Sequence, residues 1–245
     1  MAERRRIFAP PEAFRDTCLL LDAERLRHLR TVLRLGPGDE FSVTDGMGAE
    51  YLARIEHLGR GEGRAQVLER TEPPRESTLG IVLAQALPKG DRFALVLEKA
   101  VELGVSGVIP VLSRRTIPEG GAVAATARWR RIAEAAVAQS GRTRLPALHT
   151  PRPFEALMAD QSLPDIRILL WEESSENLRA VVDGRPAPRS VLVAVGPEGG
   201  WSEQEVQRAR REGFAAVRFG PRTLRTETAG IAALAVLQNR WGDLG

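Results

Sequence analysis

Two short stretches in the last fifty residues concentrate the polar chemistry of the chain. The first is Gly196-Pro197-Glu198-Gly199-Gly200, which follows the apolar run 191–195 and leads into Trp201-Ser202-Glu203-Gln204-Glu205. The second is Gly220-Pro221-Arg222-Thr223-Leu224-Arg225-Thr226-Glu227-Thr228-Ala229, which follows 214–219 and runs into an apolar helix. Each leaves the C-terminal end of a predicted strand and enters a predicted helix. In parallel α/β sheets that edge is where ligands sit. One such loop reads as an ordinary turn; two in succession suggest a site.

The first loop is not a phosphate cradle, because it has neither a Gly-Lys-Ser/Thr ending nor a G-x-G-x-x-G pattern. Glu198 in its middle would repel phosphate. Backbone amides beside an acid suit a ligand with ribose hydroxyls, an amino group or a cationic centre, and S-adenosylmethionine has all three. Arg222, Arg225 and Glu227 read either as a solvated surface cluster or as the second wall of a site. The site reading gains weight if the two loops neighbour each other across adjacent strands, which is the expectation here. Leu170-Trp171-Glu172-Glu173 ends a third predicted strand and offers an apolar-then-acidic edge. Trp171 fits a core position as well as a ligand wall. His28, His57 and His149 have no metal-ligand spacing with one another or with Cys18, so no metal is expected.

The elements that must hold these residues fall into two regions. Up to residue 72 one helical pattern spans 22–34, with Leu26, Leu29, Val32 and Leu33 on one face. Residues 41–44 and 51–55 flank Asp45-Gly46-Met47-Gly48 as a hairpin, and 64–68 add a strand. Short strands with glycine-rich turns predict a small β-barrel. Residues 71–76, with paired prolines, read as a linker. From 80 onward strands and helices alternate: strands at 81–87, 108–112, 166–170, 191–195 and 216–219, helices at 91–103 and 126–139. Ala94, Leu97 and Val101 should face inward, and Thr126 should cap its helix. Ser202 with Glu205 forms a capping box for a helix to Arg211, and 231–237 lie in a buried closing helix. This alternation predicts a mostly parallel sheet.

Composition sets outer limits. The chain has 245 residues, enough for one large or two smaller domains, with 43% hydrophobic and 27% charged residues. No apolar run reaches membrane-span length, the start lacks a signal-peptide core, and a single cysteine excludes an internal disulfide, so a cytoplasmic protein with no membrane partner is expected. Lys89 and Lys99 are the lysines among 35 basic residues; the other 33 are arginines. Arginine forks suit phosphate and stack on bases, which favours RNA, while arginine-biased codons explain the same composition equally well. Arg128, Arg130, Arg131, Arg142 and Arg144 read either as an RNA track with Arg4, Arg5 and Arg6 or as a solvated helix face.

At these positions the sequence resembles the RsmE family of ribosomal RNA methyltransferases, within the SPOUT superfamily. The resemblance runs from Arg6-Ile7-Phe8 and 28–34 through Lys89-Gly90-Asp91-Arg92, 99–105 and 134–142 to the two terminal loops, which are its most specific part. Trp201, Phe219 and Thr223 depart from the aliphatic or Phe residues of the pattern without touching its chemistry. The resemblance implies an α/β fold: a small N-terminal PUA-like β-barrel for RNA, residues 1–72, and a C-terminal SPOUT α/β-knot domain, residues 73–245. The latter has a mostly parallel sheet and a deep trefoil knot, which ordinary topology rules disfavour. It also implies a homodimer with its active site near the subunit interface. The implied reaction is S-adenosylmethionine-dependent methylation of N3 of one uridine near the 3′ end of 16S rRNA, within the assembled small subunit. Carried over residue by residue, the cofactor positions are Leu170, Trp171, Glu172, Gly196, Pro197, Glu198, Gly199, Gly200, Phe219, Gly220, Leu224, Arg225, Thr226, Thr228 and Ala229.

For the chemistry, Arg225 is the candidate to stabilise a uridine anion, with Glu227, Glu198 or water accepting the N3 proton. Arg142, Arg144 and Arg4, Arg5 and Arg6 are the candidates to grip RNA phosphates. Two other readings stay open: a SPOUT methylase acting on a ribose hydroxyl or guanine of tRNA, and a noncatalytic RNA-binding assembly factor.

Overall fold

The change from period-two to helix-and-strand patterning near residue 77 divides the chain into two units. The computed structural model describes residues 5–116, 122–183 and 185–245. One unit holds residues up to Glu76 together with Glu134–Leu145; the other holds Ser77–Ala133 and Pro146–Gly245.

The first unit is a six-stranded, largely antiparallel sheet. Its strands are β1 (Arg6–Phe8), β2 (Phe14–Arg15), β3 (Cys18–Leu21), β4 (Glu40–Thr44), β5 (Glu50–Leu58) and β6 (Gly63–Thr71), in the order β1-β4-β5-β6-β3-β2. The predicted hairpin is β4–β5, with Val43 opposite Tyr51. Alternation puts Phe41, Val43, Ala53, Ile55 and Ala65 into one apolar core with Leu19, Leu21, Leu26 and Leu29. The predicted 22–34 helix is shorter and irregular. Asp22 caps α1 (Ala23–Arg27), accepting from the Arg25 amide at 2.9 Å, and His28–Val32 then widen into a π-turn. The extra residue per turn rotates the apolar stripe, so Leu29 stays buried while Val32 is 64% exposed. The predicted linker also changes: β6 runs through Thr71, and Glu76 is held by Arg142, Thr143 and Arg144.

The second unit is an α/β layer structure. Its strands are β7 (Gly80–Ala86), β8 (Gly107–Leu112), β9 (Ala147–Leu148), β10 (Arg152–Pro153), β11 (Ile166–Leu170), β12 (Ser190–Val195) and β13 (Ala215–Val217). Every ladder in this sheet is parallel, in the order β10-β8-β7-β12-β11-β13, with β9 beside β8. Strands buried on both faces account for the near-continuous apolar runs at 81–84 and 191–195. The helices are α2 (Arg92–Glu102), α3 (Ala122–Ser140), α4 (Phe154–Met158), α5 (Leu178–Val182), α6 (Glu203–Arg211) and α7 (Thr226–Trp241), with the C-terminal part of α3 assigned to the first unit.

α2 buries Phe93, Val96, Leu97, Ala100 and Val101, while Ala94 is only half-buried. Thr126 is not a cap: the alanine-rich stretch before it is already helical, so Thr126 lies inside α3. The closing helix α7 buries Ala233, Leu234 and Leu237 but leaves Val236 41% exposed. Among the described residues no helix is long and apolar enough to cross a membrane, and no cluster of His, Cys, Asp and Glu could hold a metal ion.

Candidate active site

Three neighbouring strands, β12, β11 and β13, end at the same edge of the sheet, and the segments that leave them enclose one cavity of about 420 Å³. That size lies within the range of roughly 300–1,000 Å³ typical of small-molecule sites. The two loops singled out from sequence are therefore not on adjacent strands. β11 lies between β12 and β13, with Leu170 opposite both Val195 and Val217. Leu170, Trp171 and Glu172 consequently form the wall between the two loops.

The β12 loop is tightly built. The Gly200 amide donates to the Pro197 carbonyl at 2.9 Å, closing a turn in which Gly200 takes φ +67°. A side chain there would be strained, and its Cβ would lie 2.7 Å from Glu172 Oε1. At Gly196 a Cβ would press on the Trp201 ring at 3.2 Å. Glu198 is pinned from outside: its Oε1 accepts from the Lys89 amide at 2.9 Å and from Arg92 at 3.1 Å. Arg115 donates to the Gly199 carbonyl. The predicted capping box is present, since Ser202 Oγ accepts from the Glu205 amide and Glu205 Oε2 accepts from the Ser202 amide at 2.8 Å. Glu205 is buried and its other oxygen accepts from the Arg114 amide at 3.0 Å, so α6 is fixed as it leaves the loop.

The β13 loop is barer. Arg218, Gly220, Pro221, Arg222, Thr223 and Arg225 are exposed, and none of its three arginines makes an ion pair among the described residues. Arg225 stands at the N-cap of α7, where the helix's positive end faces the cavity rim. Thr226 is buried at the first turn and its hydroxyl donates to the Gly196 carbonyl, which ties the two loops together.

Most of the residues chosen from sequence meet at this cavity. Leu170, Trp171, Glu172, Gly196, Pro197, Glu198, Gly200, Phe219, Gly220, Leu224, Arg225, Thr226 and Ala229 line it; Gly199, Glu227 and Thr228 do not. Glu227 sits behind the wall, its side chain 12% exposed, with Oε1 3.9 Å from Arg92 Nε and Oε2 buried without a partner among the described residues. It is thus displaced from the role of cavity base, because the helical turn that presents Thr226 and Ala229 turns residue 227 toward α2. Sequence reasoning missed Arg92, Val195, Trp201 and Arg218 as lining residues. Arg92 had a signal in the Lys89-Gly90-Asp91-Arg92 motif; Trp201 had none, since its buried ring reads as core.

The arginines considered for RNA separate sharply. Arg142 is withdrawn from that role: it is 7% exposed, and its guanidinium donates to Glu76 at 3.0 and 2.7 Å. Burial would raise the Glu76 carboxyl, but the Arg142 pair and two backbone amides outweigh it and hold it below its usual value. Arg6 is largely occupied with Glu50 at 3.4 Å. Arg128 pairs with Asp91. Arg5 and Arg144 are exposed, and Arg4 lies outside the described residues.

The geometry agrees with what the chain is similar to. A model of the RNA methyltransferase domain matches residues 75–238, and one of the RNA methyltransferase PUA domain matches residues 21–68. The ribosomal RNA small subunit methyltransferase E of Synechocystis is 35% identical over 234 residues, covering 94% of this chain and 76% of the relative. The chain belongs to the ribosomal RNA small subunit methyltransferase E family. It is an RNA methyltransferase with a PUA-like first unit and a parallel-sheet α/β second unit. Among solved structures, the family member from Neisseria gonorrhoeae bound to S-adenosylmethionine is 36% identical with a TM-score of 0.89, covering 99% of this chain and 100% of that one. A protein of Legionella pneumophila, also solved with that cofactor bound, is 32% identical with a TM-score of 0.91 and the same coverage.

The cavity fits such a molecule on its own observations. The glycines of the β12 turn let its backbone approach Glu172 and Trp201 more closely than a Cβ would allow, and Trp201 Nε1 is a buried donor with no partner among the described residues, on a side chain that lines the cavity.

Proposed function

We propose that this chain uses S-adenosylmethionine to methylate N3 of one uridine in the 16S rRNA of the small ribosomal subunit. The observation that carries the proposal is the closure of three strand-end segments on one cavity that has a glycine turn and, among the described residues, an indole N–H without a partner and an arginine without an ion pair at its rim. Leu170, Trp171, Glu172, residues 196–200, Phe219, Gly220, Leu224, Thr226 and Ala229 form the cofactor surface, with Thr228 next to it. When bound, S-adenosylmethionine supplies an electrophilic methyl group on a sulfonium centre.

The chain's own residues then have two tasks. N3 of uridine lies on the Watson–Crick edge, so the base must be unpaired or flipped out before it can enter. N3 carries a proton, and its lone pair becomes nucleophilic as that proton leaves. Arg225 and the N-terminus of α7 stabilise the negative charge that builds on the uracil ring. Glu198, which lines the cavity and has its Oε1 occupied by Lys89 and Arg92, accepts the N3 proton on Oε2. Glu227 keeps Arg92 in place rather than meeting the base.

Residues 1–72 grip RNA through exposed arginines such as Arg5, joined by Arg4 and by Arg144 from the end of the segment that follows α3, and residues 73–245, with the family's trefoil knot, hold the chemistry. The enzyme works in the cytoplasm on the assembled small subunit, without metal. It works as a homodimer: an apolar hollow of about 510 Å³ lined by Leu178, Val182 and Val236 shares Arg218, Phe219, Gly220 and Pro221 with the cavity, so a second copy seated there would complete the active site.

The test is to incubate the protein with labelled cofactor and unmodified small subunits and to map the modified nucleotide. The expected product is a single 3-methyluridine in 16S rRNA. A methyl on a ribose hydroxyl or on guanine, or no transfer with intact RNA binding, would overturn the assignment.

A further inference from the structure

The interior of the sheet holds a polar side chain that neither the cofactor surface nor the proposed chemistry uses. Gln85, on the central strand β7, is fully buried, and it lies opposite Val195, the residue that precedes Gly196. Its Nε2 donates to the Ala86 carbonyl at 3.0 Å and to Thr226 Oγ1 at 2.8 Å. Thr226 Oγ1 in turn donates to the Gly196 carbonyl. Gln85 Oε1 is buried with no partner among the described residues, and α7 passes so close that a Cβ on Gly230 would lie 2.9 Å from it.

The direction of this chain is fixed by chemistry. A threonine hydroxyl has one proton, and here that proton goes to the Gly196 carbonyl, so the group facing Thr226 must be a donor. The other contact of the same amide group is a carbonyl, which also demands a donor. Both N–H groups of Gln85 are therefore committed, and the amide oxygen is left unsatisfied. An unsatisfied buried acceptor is destabilising, and an apolar residue would avoid that cost. The fold retains the amide where a central strand otherwise carries Leu83, Ala84 and Ala86.

We infer that Gln85 is a positioning residue for the active site. Through Thr226 it sets the orientation of the Gly196 carbonyl, and so the direction in which the 196–200 turn presents its amides to the cofactor. The same relay holds the first turn of α7, and with it Arg225, in register with that turn. It joins the β12 loop to the β13 loop through β7, which belongs to neither. The inference rests on the reading of the cavity as the S-adenosylmethionine site.

The test is calorimetric titration of S-adenosylmethionine into Gln85→Met, Gln85→Glu, Thr226→Val and Thr226→Ser proteins, with thermal melts and with KM and kcat measured separately. Met matches the length of Gln without a donor, and Glu matches its shape but at neutral pH only accepts. Gln85→Met, Gln85→Glu and Thr226→Val should each weaken cofactor affinity about tenfold or more, raising KM more than they lower kcat, while Thr226→Ser, which keeps the hydroxyl, should lose less affinity than Thr226→Val. In the Gln85→Met/Thr226→Val double variant the losses should fall well short of adding, because both changes break one relay. A Gln85 variant that melts and binds like the parent overturns the relay, as does full additivity in the double variant. If the parent itself fails to bind in the same titration, the cofactor reading beneath the relay falls with it.

Discussion

The two loops of the active site meet the same cavity but are built differently. The turn at 196–200 is held by its own backbone, by Lys89 and Arg92 on Glu198, by Arg115 on Gly199 and by a capped helix behind it. The loop at 218–225 has exposed arginines with no ion pair among the described residues and lies between two hollows, one of mixed lining and one apolar. The difference is what a methyl-transfer site needs. The part that orients a small cofactor is preorganised before binding, and the part that must admit a large polynucleotide keeps its charges free. A free arginine has no carboxylate to give up when an anionic ring or phosphate arrives, so none of the binding energy is spent on breaking an ion pair.

Removing the charge from the bare loop should have the largest effect. Arg225→Ala should lower kcat on the order of 10²- to 10³-fold with cofactor affinity little changed, as measured by single-turnover methyl transfer and calorimetry. Equal losses of affinity and turnover would instead make Arg225 part of the cofactor surface. Next comes the prebuilt loop. Gly200→Val forces a branched side chain into φ +67° and toward Glu172, and should weaken S-adenosylmethionine by roughly 30-fold or more while the melt shifts only modestly.

A change outside both loops separates stability from function. Arg142→Ala strands Glu76 and should cost roughly 3 kcal/mol of stability, read by denaturant unfolding, with cofactor affinity unchanged. The smallest effect is on pH dependence. Glu76 is held below its ordinary value, so its stabilisation is complete above the unfolded pKa, near 4.5, and is lost as pH falls through the lower folded value. Melts from pH 6 to pH 3 should show that loss in the parent and less of it in Glu76→Gln.

How much of this was legible in the sequence depended on the range of the interaction. The capping box of α6, the β4–β5 hairpin and the strand–helix alternation are local, and their residues announce them. The order β12-β11-β13 is not local. Nothing in 166–170 says that it will lie between the other two strands, so sequence reasoning sets the two loops on adjacent strands, whereas β11 with Trp171 and Glu172 separates them. The π-turn at His28–Val32 defeats a helical wheel because it inserts a residue into a period that the wheel assumes is constant. Arg142 failed as a phosphate ligand because its partner, Glu76, is far away in sequence. Gln85 was invisible for the opposite reason: a glutamine in an apolar strand looks like an exposed position, and only the packed sheet shows that it faces Thr226.

The most direct test of the central claim is titration of S-adenosylmethionine into the parent while amide exchange is followed across both loops. The account predicts one saturable site per chain, with exchange at 218–225 slowed strongly on binding and exchange at 196–200 already slow beforehand. Absence of binding, or protection confined to residues outside both loops, would contradict it.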